Sequence, residues 1–133
     1  MNVYIDTSGF LAVLNRDDKF HGAAKAVWLR LLDSGAKLNT NSFVLLETAA
    51  LMQSRLGLDA VRTFFNDIYP LLEIDWVDAG LFSLAMPLLL ISNRKELSLV
   101  DYSSFLTMRR SKLSKAFAFD PHFAEQGFEV LAC

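Results

Sequence analysis

The sequence predicts a three-layer α/β/α protein built on a mostly parallel sheet. Two observations lead there. Short apolar runs end in turn or helix-start signals, and stretches of helical periodicity separate nearly all of them. Strands that alternate with helices imply βαβ crossovers, which place helices on both faces of a parallel sheet. A third observation concerns chemistry: Asp6, Glu47, Asp101 and Asp120 stand where the surrounding pattern calls for apolar or tightly packed side chains.

Val3 and Ile5 mark a first strand over residues 2–6, after which Asp6 or Thr7 can cap a helix carrying Phe10, Leu11 and Leu14. A loop over 15–19 leads to a helix over 20–34, with Ala23, Ala24, Val27 and Leu31 at helical spacing and Gly35 as its stop. Residues 36–40 form a second strand. Ser42 opens a long helix to Leu56, ended by Gly57, and another helix covers 59–69 before Pro70 closes it. Residues 72–77 alternate as a strand. Asp78 caps an apolar helix that Pro87 is expected to kink or shorten. Ser98 caps a helix to Ser111, and 115–119 is a strand. Pro121 starts one helical turn, and Gly127 precedes a last strand over 128–131.

The chain has 133 residues, of which 53% are hydrophobic, which suits one domain (1–133) with one substantial core. A formal net charge of −2 excludes a surface that grips polyanions everywhere, so any nucleic-acid contact needs a local basic patch. The longest apolar run, 79–91, holds Gly80, Ser83 and Pro87 and is shorter than the roughly 20 residues that cross a bilayer. No signal-peptide pattern opens the sequence. The lone Cys133 closes no internal disulfide, which suits a reducing compartment. The expectation is a cytoplasmic protein with no membrane attachment.

Three of the four acids have a plain structural role available. Asp120-Pro121 reads as a helix start, with Asp as cap and Pro at the first helical position. Ser98 and Asp101 have capping-box spacing, and Asp6 can cap the first helix. Glu47 differs. It lies within a helix whose neighbouring positions, Phe43, Val44, Ala50 and Leu51, are apolar and carry no cation. Carboxylates are rarely buried unless paired or bound to metal. If the fold gathers these four, an all-oxygen cluster without Cys or His selects Mg²⁺ or Mn²⁺ over zinc. His21 and His122 are each isolated in sequence and read as surface or packing residues.

Asp6-Thr7-Ser8-Gly9-Phe10-Leu11, Val44-Leu45-Leu46-Glu47-Thr48, Leu97-Ser98-Leu99-Val100-Asp101 and Ala116-Phe117-Ala118-Phe119-Asp120-Pro121-His122-Phe123 together resemble the PIN-domain family. The nearest likeness is to the VapC-type toxin ribonucleases of toxin–antitoxin pairs. The resemblance covers essentially the whole chain, and its motifs gain specificity from occurring in order. It implies a PIN-like fold and a Mg²⁺- or Mn²⁺-dependent endoribonuclease. By position, Asp6 and Asp101 are then the principal metal ligands, with Glu47 and Asp120 completing the acidic pocket directly or through water. Thr7 or Ser8 matches the hydroxyl residue beside the first acid. Val100 departs from the pattern, because many relatives carry Thr or Ser before the third acid. The resemblance also implies a homodimer and a small cognate antitoxin.

An acidic pocket repels phosphate, so cations must hold RNA nearby. Arg109, Arg110, Lys112 and Lys115 form the densest basic group, although cations at a helix end also complement its dipole. Arg16 and Lys19, after the first helix, are further candidates. The rival readings are a non-catalytic PIN-like module that binds RNA or protein, a phosphoacceptor domain and an Asp-nucleophile phosphatase. The last two want adjacent acids or Asp-x-Asp after the first strand, where this chain has Thr7 and Ser8. No Gly-x-x-x-x-Gly-Lys loop supports an NTPase.

Overall fold

The structure, a computed structural model, describes residues 1–131; the expectation for Cys133 lies outside them. Five strands form one sheet in the order β3-β2-β1-β4-β5, every neighbouring pair parallel: β1 (Asn2–Ile5), β2 (Lys37–Asn41), β3 (Leu72–Asp75), β4 (Lys115–Phe117) and β5 (Glu129–Val130). Helices α1 (Thr7–Leu14), α2 (His21–Asp33), α3 (Ser42–Leu56), α4 (Leu58–Thr63), α5 (Ala79–Ser92), α6 (Leu99–Arg110) and α7 (His122–Glu125) lie along the connections. The three-layer α/β/α expectation holds.

The central strands show why both faces need cover. Val3, Tyr4 and Ile5 of β1 and Ala116 and Phe117 of β4 are wholly buried, as parallel strands sandwiched between helices must be. Tyr4 was no exception to the apolar pattern: its hydroxyl finds Ser104 Oγ on α6 at 2.9 Å, so the phenol is buried with its polar end satisfied.

Several boundaries differ from those expected, each for a tertiary reason. The strand expected over 115–119 ends at Phe117 because the backbone N–H of Phe119 leaves the ladder and donates to Ser8 Oγ at 3.0 Å. The strand expected to reach Val77 ends at Asp75, since the Val77 N–H donates to Ser42 Oγ at 2.9 Å. The helix expected over 59–69 is regular only to Thr63. It then widens over Phe64–Ile68 and tightens over Tyr69–Leu71, burying Phe64 edge-on against Phe10 with ring centroids 5.2 Å apart. Pro87 does not shorten α5, which runs to Ser92 and stops at Asn93 in the left-handed region.

The chain order reverses between β1 and β4, which makes their carboxyl ends a topological switch point. The Asp6 N–H donates to Phe117 O at 3.1 Å, so the residue after β1 is laced to the end of β4. Gly9, in the first turn of α1, comes so close that a Cβ there would lie 2.7 Å from Phe117 O. Backbone cannot yield as a flexible side chain does. Gly9→Ala is therefore expected to push α1 away from β4 and to cost about 1–3 kcal/mol, the usual toll of overpacking. Urea unfolding should show a lower midpoint at an unchanged slope.

Candidate metal centre

Three helix starts meet at this switch point, and each presents an acid. Asp6 caps α1, with Oδ2 accepting from the Ser8 backbone N–H at 3.1 Å and from Ser8 Oγ at 2.6 Å. Asp101 is the third residue of α6 in a complete capping box. Its Oδ2 accepts from the Ser98 N–H at 2.8 Å and from Ser98 Oγ at 3.1 Å, while its own N–H donates back to Ser98 Oγ at 3.1 Å. Asp120 Oδ1 accepts from the His122 N–H at 2.9 Å, with Pro121 rather than Asp120 in the cap position of α7. So the capping roles read from the sequence are present for Asp6 and Asp101, and a local turn serves Asp120.

Capping and clustering are not alternatives here. One carboxylate oxygen from each of Asp6, Asp101 and Asp120 lies within 4.8 Å of the others. Each acid spends one oxygen on these local bonds. The other oxygen of each accepts no hydrogen bond among the described residues. No Lys or Arg among them forms an ion pair with any of the three. The donor set is therefore all carboxylate, concentrated, and without a Lys or Arg partner among the described residues, which fits a hard divalent cation.

The electrostatics agree. Burial pushes the Asp6 carboxyl up from its ordinary 3.8 to about 7; the Ser8 hydroxyl pulls it back, and the Asp120 charge raises it further. Burial also raises Asp101, against the pull of its Ser98 hydrogen bonds, with Asp120 again raising it.

Glu47 sits apart from the three. It is half-buried on α3, raised by burial, eased by the Thr7 hydroxyl and raised by the Asp101 charge. It is not one of the three acids whose oxygens converge, although the Asp101 charge reaches it. Thr7 is buried and accepts from Thr48 Oγ1 at 3.1 Å, which fixes α1 against α3. Ser8 does more than expected: it donates to Asp6 and accepts from Phe119 N–H, holding the first acid and the segment before Asp120 together.

The basic candidates divide. Arg109 donates to Gln126 O and Oε1 and lies 5.3 Å from the Phe128 ring centroid, and Arg110 pairs with Asp75 at 3.1 Å and with Asp78 at 3.7 Å. Both sit at the C-terminal end of α6, nine residues beyond Asp101 at most, or about 13 Å along the axis. Lys112 follows that end and Lys115 begins β4, so none of the four is brought to the acids. Arg16 is exposed in the loop after α1, and Lys19 lines a cavity that also touches Asp120.

Sequence reasoning missed two residues. Asn41 is fully buried, caps α3 through Val44 N–H at 2.9 Å, and donates to Ser103 Oγ and Thr107 Oγ1 of α6, both at 3.1 Å. It thereby locks the helix of Glu47 to the helix of Asp101. Its only signal was a capping residue before Ser42. His122 is not isolated: its ring lies near enough to lower the Asp101 carboxyl, and its proximity to Asp120 in sequence was the available clue.

An acidic pocket at the switch point of a parallel α/β sheet defines the class: a doubly wound domain with a candidate centre for a hard cation. The PIN-domain family profile matches residues 3–129, and the chain belongs to that family. The chain is 32% identical over 127 residues to the 23S rRNA-specific endonuclease VapC20 of Mycobacterium tuberculosis, covering 95% of each chain. The crystal structure of that protein, described as a sarcin–ricin loop cleaving toxin, superposes with a TM-score of 0.82 over 95% of both chains. VapBC2 from Rickettsia felis, solved bound to a DNA fragment from its promoter, shares the fold at a TM-score of 0.70 and 13% identity, covering 98% of this chain and 97% of that one. No helix among the described residues is long and apolar enough to cross a membrane.

Two outcomes are expected. Ser8→Ala, which frees Asp6 and the Phe119 N–H together, should weaken Mn²⁺ binding about 10- to 100-fold in calorimetry, the range for partners that orient ligands. Asp6 holds its proton to higher pH when folded than when unfolded, so folding binds a proton between pH 3.8 and about 7. Thermal melts of metal-free protein should lose stability as pH rises through that window. Asp6→Asn should flatten the loss, and an unchanged slope in that variant would place its origin elsewhere.

Proposed function

We propose that this chain is a divalent-metal-dependent endoribonuclease that hydrolyses RNA phosphodiester bonds, and the toxin of a toxin–antitoxin pair. The observation that carries the reading is the convergence of the Asp6, Asp101 and Asp120 carboxylates, each with an unengaged oxygen, in a PIN domain. Its kinship to an enzyme named for 23S rRNA cleavage supports the substrate class, and ribosomal RNA with a sarcin–ricin loop is the first substrate to test. The whole chain serves as one domain.

Asp6, Asp101 and Asp120 would hold Mg²⁺ or Mn²⁺ with the oxygens their local bonds leave free. Such an ion activates water as a nucleophile and neutralises charge developing at phosphorus. These local bonds keep the three carboxylates from rotating away from one another. Glu47, whose carboxyl is raised by burial and feels the Asp101 charge, would accept a proton from the attacking water. Ser8 keeps Asp6 and the segment leading to Asp120 in register.

The protein acts in the cytoplasm, where its RNA is. Exposed apolar side chains, including Leu46, Trp76, Leu84, Leu90 and Ile91, support association with a second copy and with a small antitoxin. The non-catalytic binding module remains the alternative outcome of the test.

That test incubates the protein with a sarcin–ricin hairpin RNA and with total rRNA in Mg²⁺ or Mn²⁺. Wild type should cut, a chelator should stop it, and Asp101→Asn should abolish cutting while circular dichroism shows the fold retained. RNA left intact by wild type with both metals would favour the binding module.

A further inference from the structure

A cavity of about 280 Å³ opens beside the acids, reaching from Ser8 and Asp120 outward to Lys19, Phe20 and Arg55. It brings together two cations from distant parts of the chain: Lys19, in the loop before α2, and Arg55, in the last turn of α3. Both are exposed, and among the described residues neither forms an ion pair. Arg62, Arg94 and Arg110 are paired with acids, and Arg16 and Arg30, which have no such pair among the described residues, do not line this cavity.

Lys19 is also held in place. Its ammonium rests 4.9 Å from the centroid of the Phe20 ring. That ring stacks on Phe119 at 4.8 Å between centroids and 15° between planes, and the next residue is Asp120. Two rings thus connect a cation to an acid of the candidate metal centre. The loop that carries them is fixed by Asp18, whose carboxylate accepts the Phe20 N–H at 2.8 Å.

An anionic pocket that must receive a polyanion needs cations just outside it, placed where the backbone continues past the cleaved bond. We propose that Lys19 and Arg55 hold the two RNA backbone phosphates next to the scissile one, one cation to each, with Phe20 as the positioning residue for Lys19. The proposal rests on the ribonuclease reading and adds to it the path of the strand. RNA leaves the acids along α1 toward the end of α3, and does not run toward Arg109 and Arg110.

The experiment measures cleavage of a 5′-labelled sarcin–ricin hairpin in Mn²⁺ across a range of KCl, together with Mn²⁺ affinity by calorimetry. Lys19→Gln and Arg55→Gln should each raise KM severalfold and make its salt dependence shallower by about 0.7 in log–log slope, one phosphate contact on a single strand. The double variant should lose about twice that slope. kcat and Mn²⁺ affinity should stay at wild-type values. Phe20→Leu, which keeps apolar cover over Phe119 but removes the flat ring, should mimic Lys19→Gln and add nothing to it. Arg30→Gln, on α2 beside Met1 and Ser34 at the amino end of β1, should change nothing.

Wild-type KM and slope in both cation variants would overturn the proposal while leaving the nuclease reading intact. If wild type does not cut, anisotropy with the same hairpin decides. Binding whose salt slope falls in the two variants supports the phosphate contact and sinks only the nuclease. No binding by wild type sinks both.

Discussion

Hydrogen bonds from helix starts to carboxylates organise this protein. Asp6 and Asp101 use the capping interactions that begin α1 and α6, and Asp120 uses the turn into α7. These bonds fix three carboxylates that each bring an oxygen within 4.8 Å of the others. Capping is usually a local matter of about 1 kcal/mol. Here the parallel sheet brings three such starts to the carboxyl ends of β1 and β4, so local chemistry sets a long-range arrangement.

Other devices serve that arrangement. Ser8 bridges two of the three segments, Gly9 lets α1 lie against Phe117 O, and Asn41 ties α3 to α6 through two buried hydroxyls. The amide of Asn41 has all of its protein partners inside a closed network, the condition under which buried polar groups rigidify instead of destabilising. The opposing force is charge. Burial drives Asp6 toward neutrality, with Asp120 and Asp101 adding repulsion, which a bound cation would offset. The fold bears this local cost through the core around Val3, Ile5, Phe10, Phe105 and Phe117, all essentially buried.

Much of this was legible in the sequence. Helix starts and stops at Gly35, Gly57, Asp78 and Ser98 fell where expected because caps are local signals. The acids were legible because charge interrupts apolar patterns. What could not be read depended on contacts distant in sequence. The early end of β4 is set by Ser8, more than a hundred residues away, and the widened turns at Phe64–Ile68 by Phe10. The same limit applied to the cations. Arg109 and Arg110 are dense in sequence, yet the length of α6 separates them from Asp101. Arg55, alone in sequence, is delivered by α3 to a cavity that touches Asp120. Glu47 was singled out for lacking a partner within its helix, and what acts on its carboxyl from outside the helix is the Thr7 hydroxyl and the charge of Asp101.

Anomalous diffraction from crystals soaked in Mn²⁺ tests the central claim most directly. A manganese peak in contact with Asp6, Asp101 and Asp120 is the predicted result. Saturating Mn²⁺ that leaves no peak among these three carboxylates, or places it elsewhere on the protein, would contradict the account.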